Sequence, residues 1–176
     1  MRPIEISKTT IYSGRVFDLS KARINEDGVI YEREIIEHAG SAVVLPVHSN
    51  GDITLVRQYR HAAAGSLLEI PAGTVEPGET PLECAAREIE EETGLRAAKI
   101  EKISEFYVSP GFLTEKMHLF AATDLVETRQ NMDIDENIEV VRMSLAEAAS
   151  MVADGLIVDA KTIIGILLAS GAPDPF

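Results

Sequence analysis

The chain has no tryptophan and only one cysteine, Cys84. A lone thiol leaves no internal disulfide, so stability must come from an apolar core. With 176 residues, one full core is well within reach. No apolar run approaches the roughly 20 residues of a membrane-spanning helix, and the opening stretch MRPIEISKTT lacks an apolar signal-peptide core. Positive charge is scarce: 16 Lys and Arg stand against 29 Asp and Glu, a net charge of −13. Nucleic acid is therefore not expected as a partner, because phosphate backbones are bound by Lys and Arg surfaces. The four histidines, His38, His48, His61 and His118, share no ligand spacing and read as structural or surface residues, with no zinc site. Cys84 reads as a small buried hydrophobe. These features together fit a cytoplasmic protein.

What the chain has in plenty is acid, and it is concentrated at Arg87-Glu88-Ile89-Glu90-Glu91-Glu92. A helix is expected there. Thr80 is a good N-cap, Pro81 suits the first helical position and Glu83 completes a capping box. Gly94 suits the position that ends the helix. Glu88, Glu91 and Glu92 are spaced i, i+3, i+4 and share one helix face, where like charges cost about 0.2–0.5 kcal/mol per pair. A hard divalent cation removes that repulsion, because Mg²⁺ prefers oxygen ligands and commonly touches substrate phosphates. Bound cations also invert the local sign of charge, so an acidic protein can take a phosphate-bearing substrate. Arg87 sits among the acids, where it can orient one of them. Gly73 and Glu79 precede the helix in a loop rich in Gly and Pro.

Read whole, residues 73–95 run Gly, five residues, Glu, seven residues, Arg-Glu-aliphatic-x-Glu-Glu-x-Gly-aliphatic. This resembles the signature box of the Nudix hydrolases, with every specified position filled: Gly73, Glu79, Arg87, Glu88, Ile89, Glu91, Glu92, Gly94 and Leu95. Pro110, fifteen residues past Leu95, and the segments VRQYR (56–60), LEIPAG (68–73) and SPGFLTEK (109–116) resemble the ADP-ribose pyrophosphatase branch. The resemblance implies a Mg²⁺-dependent enzyme, with Mn²⁺ as an alternative cation, in which water attacks the pyrophosphate of ADP-ribose to give AMP and ribose 5-phosphate. It leaves open another nucleoside diphosphate sugar such as GDP-mannose, and a non-catalytic module that senses ADP-ribose. It implies Glu88 and Glu92 as the principal metal ligands, with Glu91 and the Ala72 carbonyl as further ones, and Arg87 and Glu79 as support. Gly73, Arg60 and Ser109 are implied on the substrate side, and Glu115 as an acid assisting near the metals. A carboxylate in the loop before the last strand is the implied general base. Relatives often carry Asp-Glu-Asp-Glu there; this chain has Asp133-Ile134-Asp135-Glu136, which makes Glu136 the first choice and Asp135 the second. The branch usually forms a homodimer through its first strands, so Phe17, Arg33 and Glu37 are expected to reach adenine.

Along the chain, residues 3–18 predict one or two short strands, and Asn25–Gly28 a turn into a strand at about 29–38 with apolar side chains on both faces. Strands are expected at 42–48 and 53–60, paired through Asn50-Gly51 as a hairpin, with Pro46 marking an edge or a bulge. Further strands fall at 67–70, 97–106, 116–123 and 138–143. Ser144 with Glu147 and then Asp159 open two last helices, the second with an apolar stripe of Ile163, Ile164, Leu167 and Leu168 that predicts core packing. Tyr107 and Phe112 are expected in the core. The pattern suggests an α+β or layered α/β/α fold; the resemblance narrows it to the Nudix fold, a mixed sheet sandwiched between helices. Residues 1–38 are expected to form the dimerising strands and 39–176 the Nudix hydrolase domain.

Overall fold

The structure, a computed structural model, describes residues 2–131 and 137–171. The chain divides into two compact units, Met1–Ser41 with Glu105–Met117, and Ala42–Ser104 with His118–Phe176. No helix among the described residues is long and apolar enough to cross a membrane.

In the first unit, β1 (Ile4–Ser13), β2 (Asp18–Glu26) and β3 (Val29–Glu37) form an antiparallel sheet in that order. Asp27 and Gly28 make the two-residue turn between β2 and β3, with φ of 51° and 90°. Both angles lie in the left-handed region that this hairpin turn requires. The strand β2 is not expected from the sequence, since Asp18–Glu26 alternates weakly and ends in polar residues. Ile4, Ile6, Ile11, Val29 and Ile30 are exposed on this sheet. Ile36 also pairs through its backbone with Phe112 and Thr114. Tyr107 and Phe112 are not core residues, being 56% and 52% exposed.

The second unit holds the main core. Its strands β4 (Ser41–Pro46), β5 (Asp52–Arg60), β6 (Gly65–Glu69) and β7 (Ala72–Thr74) precede helix α1 (Pro81–Thr93). After it come β8 (Leu95–Tyr107), β9 (Lys116–Glu127), β10 (Glu139–Ser144), α2 (Leu145–Ala153) and α3 (Ala160–Gly171). Two sheets result, ordered β10-β5-β6 and β7-β4-β9-β8. The Asn50-Gly51 turn is present, with Gly51 N–H donating to the His48 carbonyl and a bridge at Val47 and Ile53. Beyond that bridge the expected hairpin does not continue, because β4 and β5 belong to different sheets. Every residue of β4 is buried. Such a strand needs cover on both faces and partners on both edges, so β4 lies between β7 and β9, and Pro46 ends it instead of marking an edge.

The expected stripe on α3 is also corrected. Thr162, Gly165, Ile166 and Ala169 are buried, while Leu167 and Leu168 are 53% and 43% exposed. The reason is close approach. A Cβ on Gly165 would lie 2.4 Å from Ile70 Cδ1, so the helix docks through the face of Thr162, Gly165, Ile166 and Ala169, and Leu167 and Leu168 are turned away. Gly165→Val should therefore destabilise the protein by about 1–3 kcal/mol through overpacking, whereas Leu167→Ser should stay within about 0.5 kcal/mol. Urea unfolding of the two variants checks this; equal losses would mean that the stripe, and not the glycine face, is packed.

Candidate active site

The acidic helix α1 begins as its sequence dictates. Thr80 Oγ1 accepts from the Glu83 N–H, and the Glu83 carboxylate accepts from the Thr80 N–H at 2.8 Å, closing the capping box. Gly94 ends the helix in the left-handed conformation, φ 68°. The inner face of α1 is built from small side chains, Cys84 and Ala85, with Ile89. They pack on Ala42, Val44, Phe120 and Ala122. This brings α1 close to β7, and the Cys84 thiol donates to the Gly73 and Thr74 carbonyls. Burial, with the nearby Glu88 and Glu79 charges, pushes that thiol up to about 12. Cys84 is thus the small buried hydrophobe expected and not a nucleophile.

Arg87 binds the carboxylates together. Its Nε donates to Glu79 Oε1 at 2.9 Å and its Nη2 to Glu79 Oε2 at 3.1 Å, a bidentate pair. Its Nη1 donates to Glu88 at 2.6 Å and to Glu91 at 2.9 Å. The hydrogen bonds to Arg87 hold Glu79 below the usual carboxylate range, and the same contacts raise the guanidinium further. Glu88 lies directly over Gly73: a Cβ there would stand 1.7 Å from Glu88 Oε1. The glycine is therefore needed for space. Glu92, 3% exposed, accepts from the Ala72 N–H at 3.1 Å. In this way the structure gathers Ala72, Gly73, Glu79, Arg87, Glu88, Glu91 and Glu92.

The donor set suits a hard cation, being carboxylate and carbonyl oxygen throughout. Gly73 leaves the room that Glu88 occupies at the loop, and buried Glu92 stands one turn further along the helix. As they stand, no three acid, His or Cys side chains among the described residues converge on one point. Arg87 takes up Glu88 and Glu91.

Glu136 and its alternatives Asp133 and Asp135 lie outside the described residues. The chain approaching them is anchored: the Asn131 N–H donates to the Glu91 carbonyl at 3.1 Å, and Gln130 Nε2 to the Glu92 carbonyl at 2.5 Å. Phe17, Arg33, Glu37, Ser109 and Glu115 belong to the first unit. There Phe17 packs against Tyr12, Arg33 lies over the Tyr31 ring and Glu37 pairs with Lys8. Glu115 accepts from Ser41 Oγ at 2.6 Å, and Ser109 caps the turn ahead of Leu113 through its carbonyl.

A second ionic group went unnoticed in the sequence. Arg60 donates through Nε and Nη2 to the two oxygens of Glu69, at 2.8 and 2.9 Å. Glu69, 1% exposed, also accepts from Lys161 Nζ at 2.5 Å, and Lys161 pairs with Asp159 at 3.0 Å. Glu69 falls at the end of LeuLeuGlu and Lys161 on an apolar helix, so only an acid and a base at buried positions could have signalled the pair. Burial raises the Glu69 carboxyl, but the Arg60 hydrogen bonds and the Lys161 charge outweigh it and hold the group below its ordinary 4.5. Stability drawn from a lowered carboxyl is present above the ordinary value and is lost as pH falls through the folded value. Glu69→Gln should therefore cost at most about 3–5 kcal/mol at pH 7, because it breaks the buried ion pair and leaves the Lys161 ammonium with Asp159 alone. Its deficit against wild type should shrink as pH drops below 4.5. Thermal melts from pH 7 to 3 test this, and a deficit constant with pH would show that the Glu69 carboxyl is not lowered by the fold.

A family model described as NUDIX domain matches residues 37–163. The chain is 42% identical to the ADP-ribose pyrophosphatase of Bacillus subtilis over 164 residues, 92% of this chain and 89% of that protein. It is 37% identical to the methanol dehydrogenase activator of Bacillus methanolicus, with the same coverage. The GDP-mannose pyrophosphatase of Yersinia enterocolitica is 35% identical, with 92% of each chain covered. A crystal structure of an ADP compounds hydrolase superposes with a TM-score of 0.84 at 23% identity, over 97% of this chain and 93% of that one, and shares its fold. From the filled signature on α1 and these matches, the chain belongs to the Nudix hydrolase family.

Proposed function

We propose that the protein hydrolyses the pyrophosphate of ADP-ribose, giving AMP and ribose 5-phosphate, with Mg²⁺ as the cation and Mn²⁺ as a substitute. The observation that carries this reading is the pair Glu88 and Glu91 held by Arg87 beside the glycine loop, with Glu92 on the same helix face held by the Ala72 N–H. Its similarity to an ADP-ribose pyrophosphatase over nine-tenths of the chain supports the choice of substrate. A second reading, a GDP-mannose pyrophosphatase, draws on the similarity to the Yersinia enzyme. The chemistry would be the same, with a different base and sugar.

Glu88, Glu92, Glu91 and the Ala72 carbonyl would hold the cation. A bound divalent cation neutralises phosphate oxygens and lowers the pKa of water at the site. Arg87, fixed by Glu79, sets where the Glu88 and Glu91 carboxylates stand. Glu92 is set by the Ala72 N–H, the amide of the residue whose carbonyl is the further donor. Arg60 supplies a cation for the diphosphate, and Ser109 a contact to the diphosphate or ribose. Glu136 takes the proton of the attacking water, because a carboxylate bound tightly to a cation is a weak base. Glu115 remains the acid that assists. Residues 1–38 form the dimerising strands of a homodimer, and Phe17, Arg33 and Glu37 reach the adenine. The motive for the dimer is the exposed apolar set on the β1–β3 sheet. A cytoplasmic setting fits the single buried thiol.

A panel of nucleoside diphosphate sugars with Mg²⁺, with products identified by chromatography, tests the function. ADP-ribose should be cleaved to the two monophosphates, and EDTA should abolish turnover. Glu92→Gln should stay folded and lose most activity, and Glu136→Gln should lower kcat by roughly 10²–10⁴. Preference for GDP-mannose would favour the second reading, and full turnover in EDTA would overturn both. Light scattering at micromolar concentration should give a dimer; a monomer would remove the shared adenine contacts.

A further inference from the structure

The site proposed above uses Arg60, but Arg60 is only the outer member of a buried ionic chain. Its guanidinium plane is fixed, because Nε and Nη2 meet the two oxygens of one carboxylate, Glu69. Planar bidentate pairing of this kind sets orientation as well as energy. The Arg60 side chain is still 43% exposed, while that of Glu69 is 2% exposed. The orientation of Arg60 therefore depends on what fixes Glu69 from behind, which is Lys161 Nζ on Oε2.

Lys161 is an odd choice for stability alone. It sits in the first turn of α3, where the helix dipole disfavours a cation, and it is 8% exposed, where an ammonium is costly unless paired. Asp159 offsets both penalties. It pairs with Lys161 at 3.0 Å, and its other oxygen accepts from the Thr162 N–H and Oγ1. Thr162 Oγ1 in turn accepts from the Ile70 N–H at 2.8 Å. The start of α3 is thus tied to the strand end Glu69–Ile70 by one ionic and one hydrogen-bonded link.

We propose that Lys161 is a positioning residue for the reaction: sharing the Glu69 carboxylate, it holds the Arg60 guanidinium in the orientation that meets the substrate's diphosphate. The inference rests on the reading of Arg60 as a diphosphate contact. Without Lys161, Glu69 draws its whole compensation from Arg60. The guanidinium is then pulled into the ion pair and yields less of itself to a phosphate.

Steady-state kinetics on ADP-ribose at saturating Mg²⁺ test this in Lys161→Met, Lys161→Arg, Arg60→Gln and the Arg60→Gln/Lys161→Met double variant, with Tm measured on each. Lys161→Met should raise KM about tenfold, the usual scale for a charged hydrogen bond, and leave kcat and the Mg²⁺ dependence near wild type. Lys161→Arg should recover most of that loss. In the Arg60→Gln background Lys161→Met should add nothing to KM, because its effect passes through Arg60. A fall in Tm with wild-type KM would overturn the proposal and leave Lys161 a purely structural residue. Losses that multiply in the double variant would overturn it as well. Wild-type KM in Arg60→Gln alone would instead remove the reading of Arg60 on which the proposal stands. Should Lys161→Met not fold, Lys161→Gln, which keeps an amide donor without the charge, takes its place under the same criteria.

Discussion

Everything at the site depends on one guanidinium among crowded carboxylates. Glu88, Glu91 and Glu92 share a face of α1, and Glu79 is brought to it from the preceding loop. Arg87 meets Glu79, Glu88 and Glu91 at once, which makes the crowding tolerable. The same contact defines the neighbouring chain. Glu79 can reach Arg87 only because the loop folds back. Gly73 must lack a side chain because Glu88 fills that space. Cys84 and Ala85 must be small because the helix has to lie close to β7 and β4. A stability-only account would find these choices poor, since carboxylates on one helix face repel. An account that adds a hard cation and a diphosphate explains all of them together.

Two kinds of ionic cluster divide the work. On α1 acids outnumber the single base, which suits a place where further positive charge is to be taken up. At Arg60, Glu69, Asp159 and Lys161 the charges balance. A balanced buried group contributes little net stability over apolar packing, but it fixes geometry. The overall charge of −13 thus does not oppose an anionic substrate, because local arrangement and bound cations decide the field a phosphate meets.

The signature helix was legible in the sequence to the residue. Thr80, Pro81, Glu83 and Gly94 are local signals, and local signals need no knowledge of partners. What could not be read was set by neighbours distant in sequence. The Asn50-Gly51 turn was visible, yet β4 and β5 part into separate sheets because β4 is buried throughout and finds its partners in β7 and β9. The α3 stripe misled because hydrophobicity was weighed without size: Gly165 at the contact with Ile70 decides which face docks. Tyr107 and Phe112 were expected inside and lie outside; the connection bearing Phe112 pairs by backbone to Ile36 and leaves that ring exposed. Of the site residues, Arg60 was named for its substrate role, while its partners Glu69 and Lys161 were hidden in apolar segments.

The central claim is that the Arg87-bound carboxylate row, with Glu92 on the same face, holds a divalent cation. Mn²⁺ binding to the wild-type protein and to the Glu88→Gln/Glu92→Gln variant, followed by electron paramagnetic resonance without substrate, tests it most directly. The account predicts saturable Mn²⁺ binding in the wild type. The double variant should bind at least about tenfold more weakly, since even losing an outer partner of a metal ligand costs 10–100-fold, and should keep an unchanged fold by circular dichroism. Equal Mn²⁺ affinity in the two proteins would contradict it.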